Sequence, residues 1–149
     1  MDSRSFLGLE PTHNPYRWML PVVPGLCTSA NFLFGGCGLG AAISALEGTS
    51  GRECVWAAGQ YLSYARPGEV MDIDVTLAVE GHQITQARAV CHVGHREILT
   101  VNAALVGSRP MPFHGQFETM PQVPSPAECR VRVRLDQVGT INSRFEQRL

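Results

Sequence analysis

Phe34 to Glu47 is the stretch that most limits what this chain can become. Its centre, Cys37-Gly38-Leu39-Gly40-Ala41-Ala42-Ile43-Ser44-Ala45-Leu46-Glu47, is small and apolar almost all round, with Leu39, Ile43 and Leu46 at helical spacing. A helix without a broad polar face must be surrounded by protein. Four glycines, Gly35, Gly36, Gly38 and Gly40, each cost about 1 kcal/mol relative to alanine inside a helix. The segment therefore cannot hold a helix alone. It needs another layer wrapped around it, and its glycines let that layer's backbone come close. Gly48, Ser50 and Gly51 are expected to end it.

The residues that follow supply such a layer. Glu53–Tyr64 reads as a strand, and Arg66-Pro67-Gly68 as a turn. Over Glu69–Glu80, Met71, Ile73, Val75, Leu77 and Val79 share one face, while Asp72, Asp74, Thr76 and Glu80 share the other. Glu80-Gly81-His82 turns the chain, Gln83–Val93 runs back, Gly94 turns again, and Arg96–Val106 is a further strand. Ahead of the helix, Met1–Asn14 reads as an irregular or short lead-in, Tyr16–Leu20 as a short strand, and Pro24–Asn31 as a loop. The expected order is a leading strand, one buried helix, then a meander of four long strands. A curled antiparallel sheet wrapped around one central helix satisfies both patterns. This is an α+β class, the hot-dog fold.

Composition narrows the setting. The 149 residues are enough for one compact domain, and 44% hydrophobic against 17% charged fits a folded one. A net charge of −1 gives no reason to expect nucleic acid or an anionic membrane as partner. No signal peptide is expected, since Met1–Glu10 lacks an apolar run. The apolar run Trp18–Cys27 is broken by Pro21 and Pro24 and is too short to span a bilayer, and Leu26 before Cys27 does not suit a lipoprotein signal. Five cysteines (Cys27, Cys37, Cys54, Cys91 and Cys129) form an odd set without a C-x-x-C. They are expected to be buried and reduced, which implies a cytoplasmic protein without disulfides.

The expected division is a hot-dog domain over 1–107 and a linker over 108–127, where five prolines fall. Residues 128–149 then open a second hot-dog half or form an extended tail. Within them Arg130–Arg134 alternates like an edge strand or extended arm.

Several segments together resemble proteins of the acyl-CoA thioesterase II family. Phe34-Gly35-Gly36 is similar to that family's F-G-G-Q helix start, with Cys37 in place of the glutamine. Tyr61-Leu62-Ser63-Tyr64-Ala65-Arg66-Pro67-Gly68 resembles its strand and turn ending in R-P-G. Thr85-Gln86-Ala87-Arg88 resembles its S-x-R-x strand, and Thr119-Met120-Pro121 its inter-domain linker. The resemblance covers roughly Tyr16 to Leu149. It implies one half, the N-terminal one, of a double hot-dog that hydrolyses fatty acyl-CoA to free acid and CoA. The family's catalytic Asp, Thr and Gln lie in the other half, and no segment here matches them. The resemblance therefore implies no catalytic residue in this chain and no cofactor.

Candidate substrate contacts are Phe34, Gly35, Gly36, Cys37, Tyr64, Arg66 and Arg88. The first four place a helix N-terminus where its free N–H groups and positive dipole end would meet a thioester carbonyl. The alternative is that the glycines only allow close packing. Gly35-Gly36-Cys37-Gly38 lacks the Lys-Ser/Thr of a phosphate loop. Cys37 reads as buried and inert rather than as a nucleophile. Arg66 and Arg88 read equally as contacts to CoA phosphates or as ordinary turn and sheet-surface arginines. Cys91-His92-Val93-Gly94-His95 lacks four-ligand spacing, so no metal is expected and the histidines read as surface turn residues. Asp72 and Asp74 read as solvated. A hydratase is disfavoured because no D-x-x-x-x-H run occurs. A lone hot-dog leaves a sheet edge open, so a homodimer through that edge is expected. The alternative function is a non-catalytic module that dimerises and binds acyl-CoA.

Overall fold

The computed structural model describes residues 2–107, 115–133 and 137–149. Helix α2, Gly35–Ser50, is the central element. Beyond Gly36 none of its residues is exposed. Its most deeply buried positions are the small ones, Ala41, Ala42 and Ala45, together with Leu46. Leu39 and Ile43, which the spacing groups with Leu46, are only partly buried. The helix also runs past its expected end. Gly48 and Ser50 are helical, and Gly51 closes it at φ +67°, its N–H donating to the Glu47 carbonyl at 2.8 Å.

A six-stranded antiparallel sheet wraps this helix. Its strands are β1 (Glu10–Pro11), β2 (Arg17–Pro21), β3 (Glu53–Tyr61), β4 (Val70–Glu80), β5 (Ile84–Val93) and β6 (Arg96–Val106). Their order across the sheet is β1-β2-β4-β5-β6-β3. Met71, Ile73 and Val75 of β4, Ala87, Ala89 and Cys91 of β5, and Val101, Ala103 and Leu105 of β6 are buried on the face turned to α2. The alternation that marks these strands thus does what period two dictates: one face lies on the helix and the other on water.

Strands β4, β5 and β6 form the expected meander, but β3 does not join it. It pairs with β6 (Ala57↔Ala103, Tyr61↔Leu99), while β4 pairs with β2 (Trp18↔Ile73, Leu20↔Met71). The strand ends at Tyr61, and residues 62–69 cross from one side of the sheet to the other. Arg66-Pro67-Gly68 therefore leads into β4 and does not close a hairpin. Alternation fixes which face of a strand is buried but not which strand lies beside it. Val79 also leaves the inner face, because the ladder slips between Leu77 and Val79 and turns it outward.

The first residues are more ordered than their composition implies. Ser3–Leu7 form a short helix, α1, capped by the Asp2 carboxylate, which accepts the Ser5 N–H at 2.8 Å. It packs on α2, with Leu7 and Leu9 buried and Ser3 Oγ 3.1 Å from Ser44 Oγ. One helical turn is too short to register as a period.

After β6, Pro110, Pro112 and Arg134 of the linker and arm lie outside the described residues. Residues 115–128 are exposed, and Val131–Arg132 (β7) pairs with Gln147–Arg148 (β8). The intervening 3-10 turn, Ile141–Arg144, returns to the domain. Ile141 is buried, its N–H donates to the Cys27 carbonyl at 2.9 Å, and Arg144 lies 3.8 Å over the Phe6 ring.

Two glycines of α2 should respond oppositely to substitution. A Cβ at Gly48 would stand 2.4 Å from the Trp18 ring, which is buried and held by its Nε1–H to Thr49 at 2.9 Å. A Cβ at Gly40 would meet only Leu7 at 3.8 Å, an ordinary contact. Gly40→Ala is therefore expected to raise stability by about 1 kcal/mol through helix propensity. Gly48→Ala is expected to lower it by about 1 kcal/mol, overpacking outweighing the same gain. Urea midpoints of the two variants check the opposed signs.

Candidate functional site

The N-terminus of α2 is bare. Phe34 occupies the cap position with extended backbone but offers no side-chain bond, and no acidic residue stands in the first turn. The N–H groups of Cys37 and Gly38 donate to the Phe34 carbonyl at 2.9 and 3.2 Å. Those of Gly35 and Gly36 have no partner among the described residues. Two free donors at the positive end of a sixteen-residue helix make a place where developing negative charge is stabilised. The approach is fixed from both sides. Leu33 N–H donates to the Ala65 carbonyl at 2.8 Å, and Phe34 N–H to the Leu26 carbonyl at 2.9 Å.

Two separate spaces border Phe34. One is a narrow cleft walled by Leu33, Gly35, Gly38, Tyr61, Ser63 and Tyr64. Tyr61 Oη donates to the Gly35 carbonyl at 2.9 Å, and burial pushes its hydroxyl pKa up. The other is an apolar hollow of about 470 Å³ between α1, α2 and the 3-10 turn, with Phe6, Leu7, Gly36, Cys37, Gly40 and Phe145 around it. The Phe34 ring borders both and lies over Gly36, where an added Cβ would stand 2.7 Å from it.

Cys37 stands at this helix start, yet it is buried and desolvation pushes its thiol pKa up. The nearby Arg144 opposes that shift without cancelling it. Such a thiol is a poor source of thiolate.

Tyr64 is half-exposed at the outer end of the cleft. Arg66 lies 5.4 Å from its ring centroid and donates Nη2–H to its hydroxyl at 3.2 Å. That bond and the guanidinium charge hold the Tyr64 pKa below its ordinary value. Arg96 lies 6.0 Å from the same ring and donates to the Tyr64 carbonyl at 2.7 Å.

Of the seven candidate contacts, the fold gathers Phe34, Gly35, Gly36 and Cys37 at the helix start, and Tyr64 and Arg66 beside it. Arg88 stands apart. It is exposed on β5, paired with Thr76 and Asn102, on the sheet face turned away from α2. Tyr61 and Arg96 enter the site without having been singled out. Tyr61 shares the helix-facing parity of Ala57 and Gly59 on β3, a signal readable in the strand pattern. Arg96 reaches Tyr64 only because residues 62–69 cross the sheet.

The other polar cluster lies on the outer sheet face. Asp74 accepts from Arg17 Nε at 2.6 Å and Nη2 at 2.9 Å, and its Oδ2 lies 2.9 Å from His92 Nε2. His92 Nδ1 faces the Gly94 carbonyl at 2.9 Å. Asp74 is thus ion-paired, not simply solvated, and His92 is a strand residue engaged with it. Both ring nitrogens already face protein oxygens, so neither is presented to a substrate. Among the described residues no three His, Cys, Asp or Glu side chains gather as a metal site.

The hydrogen bonds from Arg17 hold the Asp74 carboxyl below the ordinary carboxylate range. The stability this gives is full above that range and is lost as pH falls through the depressed folded value. Asp74→Asn is expected to lower the Tm by about 2 °C at neutral pH, since the pair is solvent-screened, and to flatten the acid limb of Tm against pH. Thermal melts from pH 7 to pH 2 check this.

No family model and no curated protein matches the chain. Solved structures do. A candidate thioesterase from Novosphingobium aromaticivorans matches with TM-score 0.78 and 27% identity, over 85% of this chain and 51% of that one. A candidate thioesterase II from Thermobifida fusca matches with TM-score 0.82 and 17% identity, over 98% and 53%. The tesB protein of Mycobacterium avium subspecies paratuberculosis matches with TM-score 0.72 and 22% identity, over 86% and 49%. The chain spans about half the length of each. A Streptococcus mutans protein solved with acetyl CoA shares the fold at TM-score 0.58 and 15% identity, over 63% and 82%. No helix among the described residues is long and apolar enough to cross a membrane. An enclosed helix, an antiparallel sheet in this order and these likenesses together give the chain the hot-dog fold, similar to half of the longer thioesterase II-type structures.

Proposed function

We propose that the chain is the N-terminal hot-dog half of an acyl-CoA thioesterase, binding the acyl-CoA whose thioester is hydrolysed to free acid and CoA. The observation that carries this reading is the bare helix start. Two N–H groups without a partner among the described residues, at Gly35 and Gly36, stand between a narrow cleft beside Gly35 and an apolar hollow beside Gly36. An acyl chain would lie in the hollow, the thioester carbonyl would face the helix start, and the CoA arm would leave past Tyr61 and Tyr64. Donors aimed at a carbonyl that becomes an oxyanion favour attack by water. No cofactor enters this chemistry.

The residues that activate water belong, in this reading, to a second hot-dog half. The match to about half of each longer relative supports that; among the described residues the cleft lining holds no acid or histidine, and the acid on the hollow, Asp2, caps α1. Residues 1–107 then make this hot-dog, 108–127 the linker and 128–149 the approach to the next half. Five unpaired cysteines support a reducing, cytoplasmic setting. Alone, the domain would pair through its β3 edge into a homodimer. Arg88, on the outer sheet face, has no part in this site.

That same lack of an acid or histidine in the cleft favours a second reading, a hot-dog module that pairs and binds acyl-CoA without chemistry. One experiment separates them. The 149-residue chain is assayed on palmitoyl-CoA with a thiol reagent, alone and joined to the part of the Thermobifida fusca protein that this chain does not match. Turnover only in the joined form is expected. Strong hydrolysis by the short chain alone would overturn the assignment of catalysis to the other half. CoA-dependent thermal stabilisation without turnover in either form would establish the module.

A further inference from the structure

We propose that Arg66 and Arg96, gathered around Tyr64, form a phosphate-binding end for the CoA portion of the substrate. This rests on the acyl-CoA reading above and adds where the charged end of that ligand is held.

The charge count favours an anion. Glu69 is the acid of this cluster. Its Oε1 accepts from Arg96 Nη2 at 2.7 Å, and its Oε2 accepts the Arg66 backbone N–H at 2.7 Å. One carboxylate against two guanidiniums leaves one positive charge uncompensated. The neutralised arginine is Arg96, whose guanidinium is fixed by Glu69 and the Tyr64 carbonyl. The Arg66 side chain pairs with no acid, and its only hydrogen bond among the described residues goes to the Tyr64 hydroxyl. Its remaining donors form the planar fork that suits a phosphate.

The cluster is also rigid. Pro67 limits the backbone beside Arg66, and Gly68 takes φ +89° while its N–H donates to the Val22 carbonyl at 2.8 Å. Val22 N–H in turn donates to the Glu69 carbonyl at 2.9 Å, and Glu69 N–H to the Arg66 carbonyl at 3.1 Å. The Leu33–Ala65 bond ties this same segment to the start of α2. The cation is therefore held at a set place relative to the free N–H groups of Gly35 and Gly36. Between them lie Tyr61, Ser63 and Tyr64, which wall a crevice of only about 20 Å³, so the pantetheine arm would cross over its mouth and not enter it. The Tyr64 ring is flanked by Phe32 at 6.1 Å and by both arginines, and Tyr64 and Arg66 are both exposed.

The test is calorimetric titration of the 149-residue chain with CoA, 3′-dephospho-CoA and an acyl-pantetheine that carries no phosphate. Arg66→Gln is the main variant, because its side chain is exposed and its loss breaks no ion pair; Arg96→Gln is the second. Arg130→Gln, on the exposed tail, controls for loss of a positive charge. Arg66→Gln is expected to weaken CoA about tenfold and leave acyl-pantetheine unchanged. If dephospho-CoA loses affinity equally, the contact is to the pyrophosphate; if it is insensitive, the contact is to the 3′-phosphate. Unchanged CoA affinity in both variants overturns the proposal, as do equal losses for CoA and acyl-pantetheine. A wild-type chain that binds acyl-pantetheine as tightly as CoA overturns this site but not the acyl-CoA reading. A wild-type chain that binds neither overturns both.

Discussion

Leu46→Ala is expected to lower the unfolding free energy by about 3 kcal/mol and the Tm by about 10 °C. Leu46 has 0% of its surface exposed and stands in a helix whose other deeply buried positions are alanines. The large side chains of the enclosed layer are therefore few, and removing one leaves a cavity that small neighbours cannot collapse to fill. Leu39→Ala, at a partly buried position on the same helix, should cost clearly less. Denaturant titration of both variants measures the difference. Equal losses at the two positions would contradict a helix more deeply enclosed on the Leu46 side.

Trp56→Lys is expected to shift the proposed homodimer to monomer, weakening association about a hundredfold, with little change in the fold. β3 is the sheet edge next to β6, and its other side pairs with no strand among the described residues. Val55 and Trp56 are large and exposed on it, Trp56 at 56%. An open strand edge that carries exposed aromatic and aliphatic side chains recruits another edge, while a lysine there opposes pairing. Sedimentation of the wild type and the variant across a range of concentrations reads the effect. A wild-type chain that stays monomeric at high concentration would refute the pairing.

The residues at the helix start show how far local pattern reaches. Phe34, Gly35 and Gly36 could be picked out because an all-round apolar helix with glycines at its beginning permits few environments, and the structure encloses it as that pattern demands. Arg66 could be picked out from a short motif. Arg88 belongs to the same kind of motif and lies on the far face of the sheet, because a motif names a residue but strand parity decides its side. Parity alone also points Tyr61 at the helix. Arg96 could not be found this way, since its approach to Tyr64 depends on two segments distant in sequence.

What the sequence determined by itself was local and periodic: one glycine-rich helix that must be buried, strands with an apolar face to cover it, and tight turns between β4, β5 and β6. These follow from side-chain spacing, which acts over a few residues. That β3 lies beside β6, that residues 62–69 cross the sheet, and that α1 and Ile141 pack near the helix start emerges from the assembled fold. Strand partners are chosen by the whole set of backbone ladders and apolar faces being satisfied at once, and no single segment carries that information.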